Sequence, residues 1–170
     1  MTDNAPLILT AQLPKDMHRW ATSLRTEHFP PERNHLEAHV TLFHAIPHFA
    51  EEEVRAECAR IAAEMSPVPA ELEGLLNLGR GTALKLTSPA MLSVRDRIAE
   101  RLHGLLTAQD QHTPRLHVTI QNKVTLDAVK ALQAQLADQI EPRSFAFRGL
   151  ALHRYLGGPW DAVKDWPFRG

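Results

Sequence analysis

The chain predicts an α+β fold made of two pseudo-symmetric lobes. Three observations carry that expectation. Strand-like and helix-like stretches alternate through its 170 residues. Proline and glycine landmarks recur at a near-constant spacing. One four-residue phrase occurs twice, as His39-Val40-Thr41-Leu42 and as His117-Val118-Thr119-Ile120.

Residues 7–13 (LILTAQL) are aliphatic and β-branched and stop at Pro14, which reads as a strand. Met17, Trp20 and Leu24 have helical spacing within 15–26, and Pro30-Pro31 ends that helix. A loop over 34–38 leads to a strand over 39–46, closed by Pro47. Val54, Cys58, Ile61 and Met65 share one face of a helix over 51–65. Its first turn is acidic, as the helix dipole favours. Pro67 and Pro69 break it, a strand follows over 72–76, and Gly79-Arg80-Gly81 turns the chain.

The order then repeats. Residues 82–87 read as a strand, and Ser88-Pro89 as an N-cap with proline at the first helical position. Met91, Val94, Ile98, Leu102 and Leu105 form a helical stripe, and 109–114 is polar and loop-like. The second motif strand spans 116–121. Thr125 caps a helix with Leu126, Val129, Leu132, Leu136 and Ile140 inward, broken by Pro142. A last strand covers 145–155, Gly157-Gly158-Pro159 turns, and the aromatic tail to residue 170 reads as irregular.

Pro14 and Pro89, Pro67 and Pro142, and Gly74-Leu75 and Gly149-Leu150 are each 75 positions apart, and His39 and His117 are 78 apart. Four landmarks in one order imply strand–helix–motif strand–helix–strand used twice. The period is too long for a solenoid repeat. The expectation is a single domain over 1–170, internally duplicated, with approximate halves 1–79 and 80–170.

A 170-residue chain that is 44% hydrophobic can bury a sizeable core. A net charge of −1 gives no global basic field to grip a long polyanion, so any nucleic-acid contact is local. The single Cys58 excludes an internal disulfide, which fits a reducing compartment. No apolar run approaches the ~20 residues of a membrane helix, and residues 1–13 lack the pattern of a secretion signal. The chain reads as cytoplasmic, without a membrane or DNA partner, and monomeric.

In a strand, side chains alternate between faces. His39 and Thr41 therefore share one face, and Val40 and Leu42 the other, with the same parity for His117, Thr119, Val118 and Ile120. Either motif alone is more simply a strand with a satisfied histidine. Together, in matching halves, they resemble the twin His-x-Thr-aliphatic motifs of the 2H phosphoesterase superfamily, which includes bacterial 2′-5′ RNA ligase-like proteins. The resemblance covers most of the chain. It implies lobes with antiparallel-rich sheets, helices outside, and motifs facing across a central groove.

Two imidazoles flanking one phosphate suit phosphodiester chemistry. One removes a proton from the attacking oxygen and the other supplies one to the leaving oxygen, and histidine reaches both states near neutral pH. Two threonine hydroxyls can hold the non-bridging oxygens. The resemblance implies the same roles: His39 and His117 as the acid–base pair, Thr41 and Thr119 on phosphate. Which histidine is the base stays open. No metal or cofactor is required. The expected substrate is a small nucleotide or RNA end with a cyclic (2′,3′-type) or 2′-5′ phosphodiester.

Further candidates for substrate contact follow from parity and position. Phe43 shares the face of His39 and could stack a base, with core packing equally compatible. Arg115 and Gln121 share the face of His117. Tyr155 and Trp160 flank the Gly-Gly-Pro turn and could both line a nucleotide site, with packing the favoured reading for Trp160. Many RNA-ligase-like relatives carry an arginine soon after the second motif. Here Lys123 stands in that stretch, which puts the ligand rather than the reaction class in question.

Rival readings are weaker. His35 and His39, and His44 and His48, have zinc-helix spacing, but the first pair has its glutamate, Glu37, in the middle position, which no known zinc motif uses, and Pro47 interrupts the second. Cys58 lies on an inner helix face and reads as core rather than nucleophile. The remaining alternatives are 2′-5′ RNA ligation using cyclic-phosphate ends, and a nucleotide- or RNA-binding module with little catalysis.

Overall fold

The computed structural model describes residues 4–170; the first three, which open the segment read for a secretion signal, lie outside the described residues. The strands are β1 (Leu7–Gln12), β2 (Val40–Ile46), β3 (Val68–Asn77), β4 (Thr82–Thr87), β5 (His117–Gln121), β6 (Arg143–Phe147), β7 (Gly149–Tyr155) and β8 (Trp160–Pro167). The helices are α1 (Lys15–His28), α2 (Glu51–Glu64), α3 (Pro89–Arg101) and α4 (Leu126–Leu136). The strands form two four-stranded antiparallel sheets, ordered β2-β1-β7-β8 and β5-β4-β3-β6. This is the α+β, two-lobed architecture expected.

Each sheet begins with a motif strand and the strand that opens its half of the sequence. Each then takes a strand from the other half: β7 pairs with β1, and β3 pairs with β4. These two exchanged strands carry Gly74-Leu75 and Gly149-Leu150. Both lobes are therefore built from both halves of the chain. The motif strands β2 and β5 are the inner edges of their sheets and come within 8 Å of each other, Cα to Cα.

The helices bury the stripes their sequences predict. Met91, Val94, Ile98 and Leu102 are buried, as are Val129, Leu132 and Leu136. Ser88 Oγ accepts from the Met91 amide at 3.1 Å, and Thr125 Oγ1 from the Ala128 amide at 3.2 Å, so both expected caps form. The stripe ends short of expectation. Leu105 lies past the end of α3 and Leu126 sits at the first position of α4, and both are exposed.

The stretch expected as one strand over 145–155 is two. Phe147 ends β6 in one sheet and Gly149 begins β7 in the other, with Arg148 as the crossing residue. Its amide donates to Gln12 O at 2.9 Å and its Nε to Leu13 O at 2.9 Å. A Cβ on Gly149 would lie 2.5 Å from Trp166 O, so only glycine fits where the chain changes sheets.

The tail expected as irregular forms β8, paired with β7 from Gly149↔Pro167 to Tyr155↔Trp160. Only Trp166 of this edge strand is buried. The apolar alternation that marks a strand is missing, and main-chain pairing supplies the order instead.

Candidate active site

Burial along the two motifs alternates as parity requires. His39, Thr41, His117 and Thr119 are half-buried, while Val40, Leu42, Val118 and Ile120 are sealed in the core. Ordered β2 starts at Val40, one residue after the expected start. Past the threonines, both strands bulge. Thr10 pairs with Thr41 but Leu9 with Phe43, leaving Leu42 extra; Ala83 pairs with Thr119 but Thr82 with Gln121, leaving Ile120 extra.

The bulges overturn two expected contacts. Phe43 and Gln121 sit on the cleft face only if alternation is unbroken, and the extra residue turns each inward. Phe43 is fully buried, with the Arg95 guanidinium 4.3 Å from its ring centre, and has no face for a base. Gln121 is buried too; its Oε1 accepts from Thr82 Oγ1 at 3.0 Å and its Nε2 donates to Ala128 O at 3.3 Å.

The two motif histidines are tethered alike. His39 Nδ1 lies 2.9 Å from Glu37 O, and His117 Nδ1 lies 2.6 Å from Arg115 O. A carbonyl can only accept, so Nδ1 carries the proton in both rings, leaving Nε2 as the proton-exchanging atom. His39 also packs on Trp160, ring centres 4.6 Å apart, and Trp160 on His153 at 5.1 Å. Burial lowers the His39 pKa to about 4. The Glu37 bond opposes that shift, and Arg25, His153 and His117 add to it. His153 is lowered as well, by its own burial, and its Nε2 lies 3.3 Å from Thr10 Oγ1.

Two hollows of about 420 Å³ each border the motifs. His39 opens into the first, with Thr10, Arg148, His153 and Trp160. Thr41, His117 and Thr119 open into the second, with His44, Arg95 and Arg115. His39 and Thr41 are only two residues apart on one face, so the hollows are neighbours.

Two buried arginines tie the motif strands together. Arg25 of α1, 3% exposed, donates to Thr119 O at 2.7 Å, to Leu36 O at 3.2 Å and to Asn34 Oδ1 at 3.2 Å. Arg95 of α3, also 3% exposed, donates to Leu42 O at 3.1 Å and to Asp110 O. Each helix thus reaches a carbonyl of the motif strand from the other half of the chain. Burial lowers the pKa of Arg25 to about 10 and lowers that of Arg95, yet both stay charged at neutral pH.

The remaining candidates scatter. Arg115 is exposed at the second hollow and lends its carbonyl to His117. Lys123 is exposed in a turn at φ 57 and lines neither hollow; its neighbour Asn122 lines the second. Tyr155 pairs across the hairpin with Trp160, is exposed, and lines neither hollow. Cys58 is sealed in the core, where burial raises its thiol pKa to about 12, which leaves it inert. Among the described residues, no three His, Cys, Asp or Glu side chains gather at metal-binding distance.

Sequence reasoning missed Thr10, Arg25, Arg95, Asp110 and His153, and favoured packing over a nucleotide site for Trp160, which lines the first hollow. The arginines did leave a signal. Arg25 falls four residues after Ala21, and Arg95 four after Met91, on the inner stripes of their helices.

Two antiparallel sheets abutting at strands with matched His-x-Thr motifs define the 2H phosphoesterase class of α+β fold. The crystal structure of TT0787 of Thermus thermophilus matches with a TM-score of 0.66 at 18% identity, covering 97% of this chain and 98% of that one. Escherichia coli LigT complexed with NADP+ matches with a TM-score of 0.64 at 17% identity, with coverage of 97% and 98%. A structure described as a phosphoesterase matches with a TM-score of 0.62 at 18% identity, with coverage of 98% and 99%. No curated protein matches in sequence. A family model described as the 2′-5′ RNA ligase superfamily matches residues 13–159, and the chain belongs to that family.

Proposed function

We propose that this protein is a phosphoesterase that cleaves a cyclic 2′,3′ or a 2′-5′ phosphodiester in a nucleotide or RNA end, with His39 and His117 as its acid–base pair. One observation carries the reading: both imidazoles are tethered through Nδ1 to the carbonyl two residues earlier, which frees both Nε2 atoms beside a pair of threonines.

For a 2′,3′-cyclic phosphate, His39 Nε2 takes a proton from water as its oxygen attacks phosphorus. His117 Nε2 gives a proton to the 2′ or 3′ oxygen as its bond to phosphorus breaks. A ring whose pKa is lowered to about 4 is neutral at pH 7, which suits His39 as the base. The bound phosphate anion raises that pKa again as the step proceeds. Thr41 and Thr119 donate hydroxyl hydrogens to the non-bridging oxygens. The scheme calls on no metal or cofactor. With a 5′-hydroxyl attacking in place of water, the same groups keep their roles: the 3′ oxygen leaves phosphorus, the 2′ oxygen stays, and RNA is joined through a 2′-5′ bond. Ligation is the second reading.

A nucleotide-sized substrate is supported by the neighbouring hollows and the Trp160 indole. Escherichia coli LigT, alike in fold, has been crystallised with NADP+, 3′-AMP and ATP. Among the described residues no helix is long and apolar enough to cross a membrane. We read the chain as one internally duplicated, monomeric, cytoplasmic unit. Assaying 2′,3′-cyclic nucleotides and 2′-5′-linked dinucleotides tests the proposal. Turnover that disappears in His39→Ala and in His117→Ala supports it; full turnover in either variant overturns the acid–base assignment.

A further inference from the structure

We infer that His44, held by the buried carboxylate of Asp110, forms a subsite for a second phosphate of the substrate, separate from the phosphate that reacts. The inference rests on the phosphoesterase reading above and names what the second hollow is shaped to take.

His44 follows the β2 bulge. With Leu42 as the extra residue, the open parity of the strand passes from Thr41 to His44. The ring is 43% exposed and lines the same hollow as Thr41, His117 and Thr119. Behind it stands Asp110, 1% exposed. The Asp110 carboxylate accepts from the His44 amide at 2.9 and 3.0 Å, from the Ala45 amide at 2.8 Å, and lies 3.2 Å from His44 Nδ1. Burial raises the Asp110 pKa, but the His44 ring and the two amides outweigh it and hold the carboxyl ionised. Arg95 donates to the Asp110 main-chain carbonyl and so anchors the backbone that carries the carboxylate.

An ionised carboxylate can only accept, so His44 carries its proton on Nδ1 and turns Nε2 to the hollow. An Nε2–H donated to a phosphate in front of the ring, with the Asp110 carboxylate on Nδ1 behind it, makes a charge-assisted hydrogen bond. Among the described residues, the other charged or titratable groups of this hollow are His112, His117, Arg95 and Arg115, and Asp110 is its one carboxylate. The first hollow contrasts: Glu37 and Asp165 offset its basic groups, and Trp160 gives it an aromatic wall. The pair thus has a polarity. The first hollow suits an uncharged nucleoside and the second an anion. The second phosphate is either a terminal monoester or the next diester of an oligonucleotide.

The test compares binding of adenosine 3′-monophosphate, adenosine 3′,5′-bisphosphate and the dinucleotide ApAp by calorimetry, in wild type, His44→Ala and His44→Arg. A charge-assisted bond at a partly exposed site predicts about tenfold tighter binding of the bisphosphate, or of ApAp, than of the monophosphate. The ligand that gains identifies the source of the second phosphate. His44→Ala should remove the preference while leaving monophosphate affinity within about twofold, and His44→Arg should restore it by supplying a cation. A structural role for His44 would weaken all three ligands alike, and that result overturns the inference. Equal wild-type affinity for the three overturns it while leaving the phosphoesterase reading intact. Binding of none of them overturns both. Nitrogen-15 shifts of the His44 ring give an independent check: Nδ1 protonated in wild type, and no longer fixed in that form in Asp110→Asn.

Discussion

The Nη1 of Arg25 in α1 reaches the carbonyl oxygen of Thr119 in β5 at 2.7 Å. The bond joins a helix of one half to the second motif strand of the other. Arg95 returns the gesture on Leu42 O. The inner edge of each motif strand thus has a carbonyl satisfied by a cation from the opposite half. Arg25→Ala would leave Thr119 O and Leu36 O without partners, at a cost of about 3 kcal/mol measured by urea denaturation. Arg25→Lys keeps the charge but loses the fork. It should retain most stability yet lower kcat by about tenfold, because the threonine and histidine of the second motif move together on β5. An unchanged kcat in Arg25→Lys would show that the clamp does not set the site's geometry.

Removal of either motif ring should cost ~10²–10⁴-fold in kcat, the usual worth of a positioned acid or base. The fold should survive, since His39 and His117 are half-buried and each is bonded only to a carbonyl two residues away. Circular dichroism of the alanine variants should match wild type. Thr41→Val and Thr119→Val keep side-chain shape but lose the donor. Each should lower kcat by ~10–100-fold, less than a histidine deletion. Steady-state rates on adenosine 2′,3′-cyclic phosphate measure both effects.

The low pKa of His39 sets two pH dependences of known sign. The folded value, about 4, lies below the ordinary 6.5, so between them the unfolded chain binds a proton that the folded chain does not. Stability is complete above pH 6.5 and falls as the pH drops toward 4. As a base His39 must be unprotonated, so its limb in kcat/KM for the free enzyme lies near pH 4. Trp160→Ala uncovers the ring and should move that limb upward, toward 6.5, and flatten the loss of stability in acid. Imidazole NMR titration of the two proteins checks the shift directly. A His39 pKa equal in both would remove Trp160 as its cause.

The sequence made the twin motifs and the repeated strand–helix order legible because both rest on local patterns: parity within a strand, a stripe along a helix, prolines as stops. It did not reveal which strands pair. The exchange of β3 and β7 rests on their pairings with β4 and β1, the second between strands remote in sequence, and the close approach of Gly149 to the Trp166 carbonyl shows only once β7 and β8 pair. It hid β8, whose order comes from main-chain pairing rather than from an apolar face. Asp110 and His44, 66 residues apart in sequence, were also invisible until the fold joined them. The bulges at Leu42 and Ile120 had no mark at all, since an extra residue in a strand changes neither composition nor hydrophobicity.

Those bulges make the fate of Phe43 a direct test of the register. Unbroken alternation puts the ring in the cleft, where Phe43→Ala would weaken nucleotide binding and barely affect folding. In the structure the ring is fully buried beneath Arg95. Truncation there empties a packed site and also strips the guanidinium of its aromatic neighbour, for a loss of about 3–5 kcal/mol. Phe43→Leu, closer in size, should cost less than half as much. Urea denaturation of both variants, with KM measured on whatever remains folded, separates the two registers: a large fall in stability with KM little changed places Phe43 in the core, and the reverse pattern would return it to the cleft.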